Sequence, residues 1–328
     1  MKKPSFLLRL KQIRHSFVSP VVNPKVASGY SHFSYVDSLS EYGSPFPLPG
    51  SGAWILQRAI PHSLYSDGMG CYPLFSCPDW SKLESDLQGI GNDLVSLALV
   101  TDPFGDYDET FLRRCFPDVL IPFKQHFIVD LSRPIDSFAN SHHRRNARKA
   151  LAQVQVEECV NSMDFVDDWI ELYQTLVTRH NIKGIAAFSK SSFAKQLTVP
   201  GLVAFRAVKD DVTVGMLLWY VQENRAYYHL GAYSSTGYSL GASFALFYHA
   251  AKHFADRGLE WLDLGAGAGS TTGAETGLSR FKQGWSTGTR TAYFCGRIFD
   301  HERYEEIMQS QNVSPTKYFP AYRAGEFS

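Results

Sequence analysis

A glycine-rich turn after an acidic residue is the segment of this sequence with the clearest potential for chemistry. Asp263 is followed by Gly265, Gly267 and Gly269 at every second position, after an apolar stretch. Glycines at the end of a strand let backbone N–H groups approach a polar cofactor closely, so an S-adenosylmethionine-dependent methyltransferase is one interpretation. Such turns follow the first strand of a doubly wound sheet, whereas 59 residues follow Gly269 (328 − 269). This late position favours a plain turn at a strand end.

Two cations come after this turn, in the segment Arg280-Phe281-Lys282. Lys282 is our first candidate for catalysis, because an ammonium group could hold a phosphate or the oxyanion of a tetrahedral intermediate. We expect Lys282 on or beside a strand that follows the glycine turn, and the alternation of side chains along a strand would place Arg280 on the same face as Lys282. The alternative is a strand whose lysine is exposed and has no role.

Three further polar residues lie on or directly after predicted strands. Tyr228 and His229 share one strand and point to opposite faces, so at most one of them should point into a cleft. His229 could accept a proton near neutral pH, or it could be a hydrogen-bonded histidine of the core. Asp263 could bind an amine as an ammonium ion, or it could cap the glycine turn.

A basic cluster occurs earlier, in SHHRRNARKA at 141–150, which we predict to be a helix. Arg144, Arg145 and Arg148 could bind the phosphates of a nucleotide, of coenzyme A or of tRNA. They could equally form a solvated helix face. Arg148 lies one turn after Arg144, so these two side chains share a face.

The composition limits the class of protein. The 32 basic and 32 acidic residues balance, so the overall charge gives no reason to expect DNA as a partner. Five cysteines, without a CxxC pair, indicate a reducing cytoplasm rather than a disulfide framework or a zinc site. His249 and His253 have the spacing of metal ligands but lack an evident third ligand, so we expect no metal. No apolar run reaches the ~20 residues of a membrane span, although the basic N-terminus could contact a membrane surface.

The candidates need elements that position them, and hydrophobic periodicity predicts these elements. Strands are predicted at 53–60, 94–100, 125–131, 154–159, 202–208, 213–221, 225–232, 259–264 and 291–296. Helices are predicted at 80–89, 111–116, 141–150, 165–180, 190–197 and 241–257. Residues 20–50 and 65–80 should be irregular. The fold class is therefore α+β (mixed α/β), with a mixed, mostly antiparallel sheet flanked by helices.

This order of elements resembles the GNAT acyltransferase fold. Three segments narrow the resemblance to FemAB-like (BioF2-like) acyltransferases: SHHRRNARKALAQVQVEE, AYYHLGAYSSTGYSLGASFALFYHAAKHF, and LGAGAG followed by GLSRFKQGWS. Their order and spacing make the resemblance more specific than any one of them. It covers roughly residues 50 to 297. It implies a first, degenerate GNAT-like domain at 51–138 and a second one at 139–300 that holds most of the cleft. An N-terminal extension (1–50) and a C-terminal tail (301–328) flank them.

The resemblance also implies an activity, the transfer of an acyl or aminoacyl group to an amine. The donor would be acyl-CoA or aminoacyl-tRNA, and no cofactor would be tightly bound. The acceptor would be a small molecule, a peptide or a cell-envelope precursor. The alternatives are the methyltransferase named above and a non-catalytic binding module.

Two glycines bear on the identity of the donor. Gly237 and Gly241 occupy the place of the GNAT loop that binds the diphosphate of coenzyme A at a helix N-terminus. Tyr238 and Ser243 depart from the usual residues of that loop, which puts the use of coenzyme A in doubt. The sequence also lacks the long heptad segment of a helical-hairpin insertion, and this favours a thioester over aminoacyl-tRNA.

Overall fold

One mixed sheet organises the part of the chain that this computed structural model describes, residues 27–267 and 277–326. Its eleven strands are β1 (Ser44–Leu48), β2 (Ala53–Ala59), β3 (Ser66–Gly70), β4 (Ser96–Val100), β5 (Val119–Asp130), β6 (Gln155–Glu158), β7 (Leu202–Lys209), β8 (Val212–Gln222), β9 (Arg225–Tyr233), β10 (Trp261–Asp263) and β11 (Gly288–Ile298). The helices are α1 (Phe33–Asp37), α2 (Leu83–Gly89), α3 (Glu109–Cys115), α4 (Ile135–Phe138), α5 (Ser141–Leu151), α6 (Val166–His180), α7 (Lys190–Gln196), α8 (Ser235–Leu240), α9 (Ala242–Asp256), α10 (Gly277–Gln283) and α11 (His301–Ser310).

The strands lie in the order β1-β2-β3-β4-β11-β5-β10-β9-β8-β7-β6. Two neighbouring pairs are parallel, β3 with β4 and β9 with β10, and the other neighbours are antiparallel. The predicted mixed, mostly antiparallel sheet with flanking helices is therefore confirmed. Because β10 pairs antiparallel with β5, the glycine turn does not follow a strand of a doubly wound parallel sheet, and we drop the methyltransferase interpretation.

The sheet consists of two similar halves. Strands β1 to β3 are antiparallel and β4 is parallel to β3, and strands β7 to β10 repeat this arrangement. The strands that complete the halves are exchanged, because β11 pairs with β4 while β5 pairs with β10. Two GNAT-like units in tandem would give this repeat. The boundary between residues 138 and 139 stays a prediction.

The two faces of the sheet carry separate apolar layers. Along β8 the side chains alternate, so that Trp219 packs with α5 and α9 while Tyr220 packs with α1, α6 and α7. Helix α6 buries Trp169 and Leu172, as its predicted amphipathic pattern requires. The part of the sheet next to β9 is thus held rigidly from both sides.

Four elements, α1, β1, β3 and α11, lie where the sequence predicted irregular structure or a tail. β1 contains prolines, which an edge strand tolerates because one side of its backbone has no strand partner. β3 is rich in glycine because its neighbour is very close: a Cβ at Gly70 would lie 2.5 Å from Leu99 Cβ. Helix α11 begins at the cap of Asp300, which accepts from Arg303 N–H at 2.9 Å.

All five cysteines are unpaired and buried. Within the described ranges, no three His, Cys, Asp or Glu side chains lie together as a metal site would require. Among the described helices, none combines the length and apolar composition needed to cross a bilayer. Residues 1–26, which include the basic N-terminus, lie outside the described part.

Candidate active site

The parallel strands β9 and β10 separate soon after they begin to pair. Arg225–Tyr227 of β9 pair with Trp261–Asp263 of β10, but β9 continues to Tyr233. After Asp263 the chain instead hydrogen-bonds to β5. The separation leaves an opening in the sheet between residues 228–233 and residues 264–267, which we call the splay.

A cavity of about 440 Å³ lies at the splay. Because the sheet is open there, side chains from both faces reach the cavity. Those used below are Lys124, His126, Tyr228, His229, Asp263 and Lys282. The parallel pair of the first half is closed again beyond its paired residues, since Phe75 N–H donates to Val100 O at 2.7 Å. The cavity nevertheless extends to this first pair, because Gly70, Leu99 and Val100 also line it.

Lys282 lies on helix α10, so the expectation that it shares a strand face with Arg280 is wrong. The helix is held through Phe281, whose ring lies 5.0 Å from that of Phe247 on α9. Helix α5 also holds it, because His143 Nε2 donates to Phe281 O at 3.0 Å. Successive residues of a helix point about 100° apart, so Lys282 turns away from this contact and into the splay.

The Lys282 ammonium is buried, with 5% of the residue exposed. Nζ donates to Ala266 O at 2.6 Å and lies 5.3 Å from the centre of the Tyr228 ring. Burial lowers the pKa of Lys282 to about 8. The negative charge of Asp263 acts against this shift, and the positive charge of Lys124 adds to it. Near neutral pH the group is therefore mostly charged and can donate to a carbonyl oxygen or an oxyanion.

Asp263, at the end of β10, forms hydrogen bonds that connect β10 to β5. Its carboxylate accepts from Gly265 N–H at 2.7 Å and from His126 Nδ1 at 2.8 and 3.0 Å. Asp263 is 2% exposed and His126 is 8% exposed. The carboxylate thus caps the turn, as one of its two sequence interpretations required, and it also holds a histidine that sequence reasoning missed.

Tyr228 and His229 pack on opposite faces of β9, and both line the cavity because the splay connects the faces. Burial raises the pKa of Tyr228, so its hydroxyl stays protonated. Burial lowers the pKa of His229 to about 3. Since Gln196 Oε1 can only accept, His229 Nε2 donates to it at 3.1 Å and Nδ1 accepts from the Tyr30 hydroxyl at 3.1 Å. Both nitrogens are therefore engaged, which favours the interpretation of a hydrogen-bonded core histidine, and the role of His229 as a base stays a prediction.

The basic residues predicted to bind phosphate lie away from the cavity. Arg280 is exposed and is not on the face of Lys282, because the two positions are part of a helix rather than a strand. On α5, Arg144 donates to Asp136 O, while Arg145 and Arg148 are exposed. Their binding of phosphate stays a prediction.

Gly237 lies within helix α8 and Gly241 directly follows it, so this segment is a helical turn rather than an open loop. Ser234 Oγ caps α8 by accepting from Gly237 N–H at 3.1 Å, and a Cβ at Gly237 would lie 1.9 Å from Val214 O. Gly241 has φ +67° and joins α8 to α9. Its N–H donates to Tyr238 O at 3.2 Å. These contacts explain both glycines by packing and chain reversal, and a role in binding coenzyme A stays a prediction.

Two cavity-lining polar residues on β5 were missed. Lys124 and His126 are two positions apart on β5, a spacing that places them on one face of a strand. The sequence QHFIVDL identified the strand but gave no sign that β10 would lie beside it. Gly269 of the glycine run lies outside the described residues.

Comparisons with known proteins agree with this geometry. The family described as Acetyltransferase (GNAT) domain matches residues 138–283, which include the splay and Lys282. No protein of curated function matches the sequence. Solved structures with the same fold include FemX, with 14% identity and a TM-score of 0.59 over 78% of this chain and 86% of that one.

Two further neighbours carry related names. The C-terminal domain of a putative lysylphosphatidylglycerol synthetase from Agrobacterium fabrum is 16% identical, with a TM-score of 0.58, over 88% of this chain and 92% of that one. L-PGS from Bacillus licheniformis is 15% identical, with a TM-score of 0.55, over 89% and 100%. The predicted resemblance is confirmed: residues 138–283 match the GNAT acetyltransferase family, and the chain has the fold of FemX, of L-PGS and of the putative lysylphosphatidylglycerol synthetase domain.

Proposed function

We propose that the protein transfers an acyl or aminoacyl group to the amine of a small molecule, peptide or cell-envelope precursor at the splay. The observation that carries this proposal is the placement of a buried, mostly charged lysine, Lys282, where the two parallel strands separate. Amide formation from an activated acyl group needs a polarised carbonyl and an aligned amine. Side chains from both faces of the sheet line the cavity, which gives the two reactants room to meet.

Lys282 would polarise the carbonyl of the donor. Its Nζ has one acceptor, Ala266 O, among the described residues, so further N–H bonds are available for an oxyanion. Such a donor in a desolvated site contributes on the order of 3 kcal/mol to the stability of the transition state. Tyr228, whose hydroxyl stays protonated beside Lys282, would donate a hydrogen bond to the leaving group.

The donor is either an acyl thioester or aminoacyl-tRNA. The GNAT match supports acyl-CoA, since that domain family is described as acetyltransferase. The name of one neighbour refers to lysylphosphatidylglycerol, an aminoacylated lipid, which supports an aminoacyl donor. The exposed arginines of α5 would bind phosphates of either donor. Both donors are found in the cytoplasm, the location we propose.

Mass spectrometry of a labelled transfer tests the function. The protein is incubated with a bacterial metabolite extract and, in separate reactions, with ¹³C-acetyl-CoA, a longer acyl-CoA or aminoacyl-tRNA. We expect one donor class to give an amine product that carries the label, and Lys282→Met to abolish it. Lys190→Met, a change of an exposed lysine on α7, is the matched control and should leave the product. A wild-type protein that forms no labelled amide with any donor would contradict the proposal.

A further inference from the structure

His126 and Asp263 form a hydrogen-bonded pair inside the cavity that no sequence motif indicated. The pair joins two neighbouring antiparallel strands of the sheet, β5 and β10. Nδ1 of His126 lies within 3.0 Å of both carboxylate oxygens. The additional bond from Gly265 N–H at 2.7 Å fixes the carboxylate itself. The imidazole is therefore held in one orientation.

This pairing determines which nitrogen of His126 carries the hydrogen. A carboxylate can only accept, so Nδ1 donates and Nε2 of the neutral ring has a free lone pair. Within residues 27–267 and 277–326, Nε2 has no hydrogen-bond partner, and it is not among the side-chain atoms buried without one. His126 lines the cavity. The nitrogen that can accept a proton thus remains available to a substrate.

We propose that His126 is the general base that removes a proton from the acceptor ammonium, and that Asp263 positions it. The proposal rests on the proposed function. The ammonium gives one proton to His126 Nε2, and the neutral amine attacks the donor carbonyl to form the new C–N bond. The bond from carbon to the thiolate or ribose oxygen then breaks. His126 returns its proton to this leaving group, and the second amine proton goes to solvent.

The other titratable side chains of the cavity are less suited to this role. Both nitrogens of His229 are engaged, and Lys282 is mostly charged near neutral pH. Asp102 lies close by, but its carboxylate accepts from the Tyr227 hydroxyl at 2.8 Å and from Phe104 N–H at 2.9 Å. His126 is the cavity group that combines a free lone pair with a fixed orientation within the described residues.

The experiment compares two nucleophiles in wild type, His126→Gln and His126→Ala, with ¹³C-acetyl-CoA or aminoacyl-tRNA as donor. One nucleophile is the amine acceptor, which is protonated at pH 7, and the other is hydroxylamine, which is mostly neutral there. General base catalysis contributes about 10²- to 10⁴-fold, so both variants should lose at least ~10²-fold with the protonated amine and far less with hydroxylamine. Added imidazole should restore part of the rate in His126→Ala. His249→Gln on α9 is the matched control and should behave as wild type.

Equal losses with both nucleophiles, or no loss, would overturn the role of His126 while leaving the proposed function intact. Absence of transfer by wild type with either donor would overturn both. ¹⁵N NMR of the histidine rings gives a readout that needs no activity. The wild-type spectrum should show His126 with its hydrogen on Nδ1, and Asp263→Asn should shift hydrogen to Nε2. A wild-type ring with its hydrogen on Nε2 would also overturn the proposal.

Discussion

Replacing Lys282 by methionine should change how the stability of the protein depends on pH. Burial lowers the pKa of Lys282 from 10.5 to about 8 in the folded protein. Between these two values the unfolded chain holds a proton that the folded protein has lost, so the free energy of unfolding of wild type rises with pH. The difference between the pKa values of the unfolded and folded protein corresponds to ~3 kcal/mol of unfolding free energy, at about 1.4 kcal/mol for each pH unit. Lys282→Met lacks this contribution.

Urea unfolding followed by tryptophan fluorescence from pH 6.5 to 10.5 measures the effect. The free energy of unfolding of wild type minus that of Lys282→Met should be constant below about pH 7 and then rise by ~3 kcal/mol up to pH 10.5. Loss of the bond to Ala266 O adds about 1 kcal/mol that does not depend on pH, so it cancels in this comparison. Lys190→Met should show no such rise. A constant difference between wild type and Lys282→Met would refute the burial of a charged Lys282.

Two further predictions concern the scaffold around the splay. Gly237→Ala should lower the free energy of unfolding by on the order of 3 kcal/mol, because its Cβ would lie 1.9 Å from Val214 O. Gly89→Ala on α2, where the new Cβ meets no atom within 4 Å, should be neutral or slightly stabilising, and thermal unfolding of both variants checks the pair. Arg323→Met should cost about 3–5 kcal/mol, because Asp67, which is 0% exposed, loses the guanidinium that donates to both its oxygens. A change below 1 kcal/mol in urea unfolding would contradict this.

The long, regular elements could be predicted because they combine a hydrophobic period with strong end signals. Helix α6 ends at Asn181, which adopts the left-handed conformation expected of a cap. The turn between β7 and β8 uses Asp210 and Asp211, both with positive φ. Ser189 caps α7 by accepting from Ser192 N–H. In each case neighbouring residues along the chain fix the structure.

The candidate site was harder to predict because distant segments meet there. Helix α10 has only seven residues, and its polar–apolar–polar segment Arg280-Phe281-Lys282 also fits a strand. Contacts of Phe281 with α5 and α9 hold the segment as a helix. His126 has no local motif, and its partner Asp263 lies 137 residues further along the chain. A pairing over such a distance depends on the strand order, in which β10 follows β5. The residue types near the glycine turn therefore indicated candidate residues, whereas the distant residues that contact them could not be predicted.

The most direct test of acyl transfer at the splay is the kinetics of Lys282→Met with the labelled donor and the amine product found by mass spectrometry. If Lys282 stabilises the oxyanion, kcat should fall by about 10²- to 10³-fold while KM for the donor changes little. Lys190→Met should retain the wild-type kcat. A Lys282→Met variant that transfers the label with the wild-type kcat would contradict the central claim.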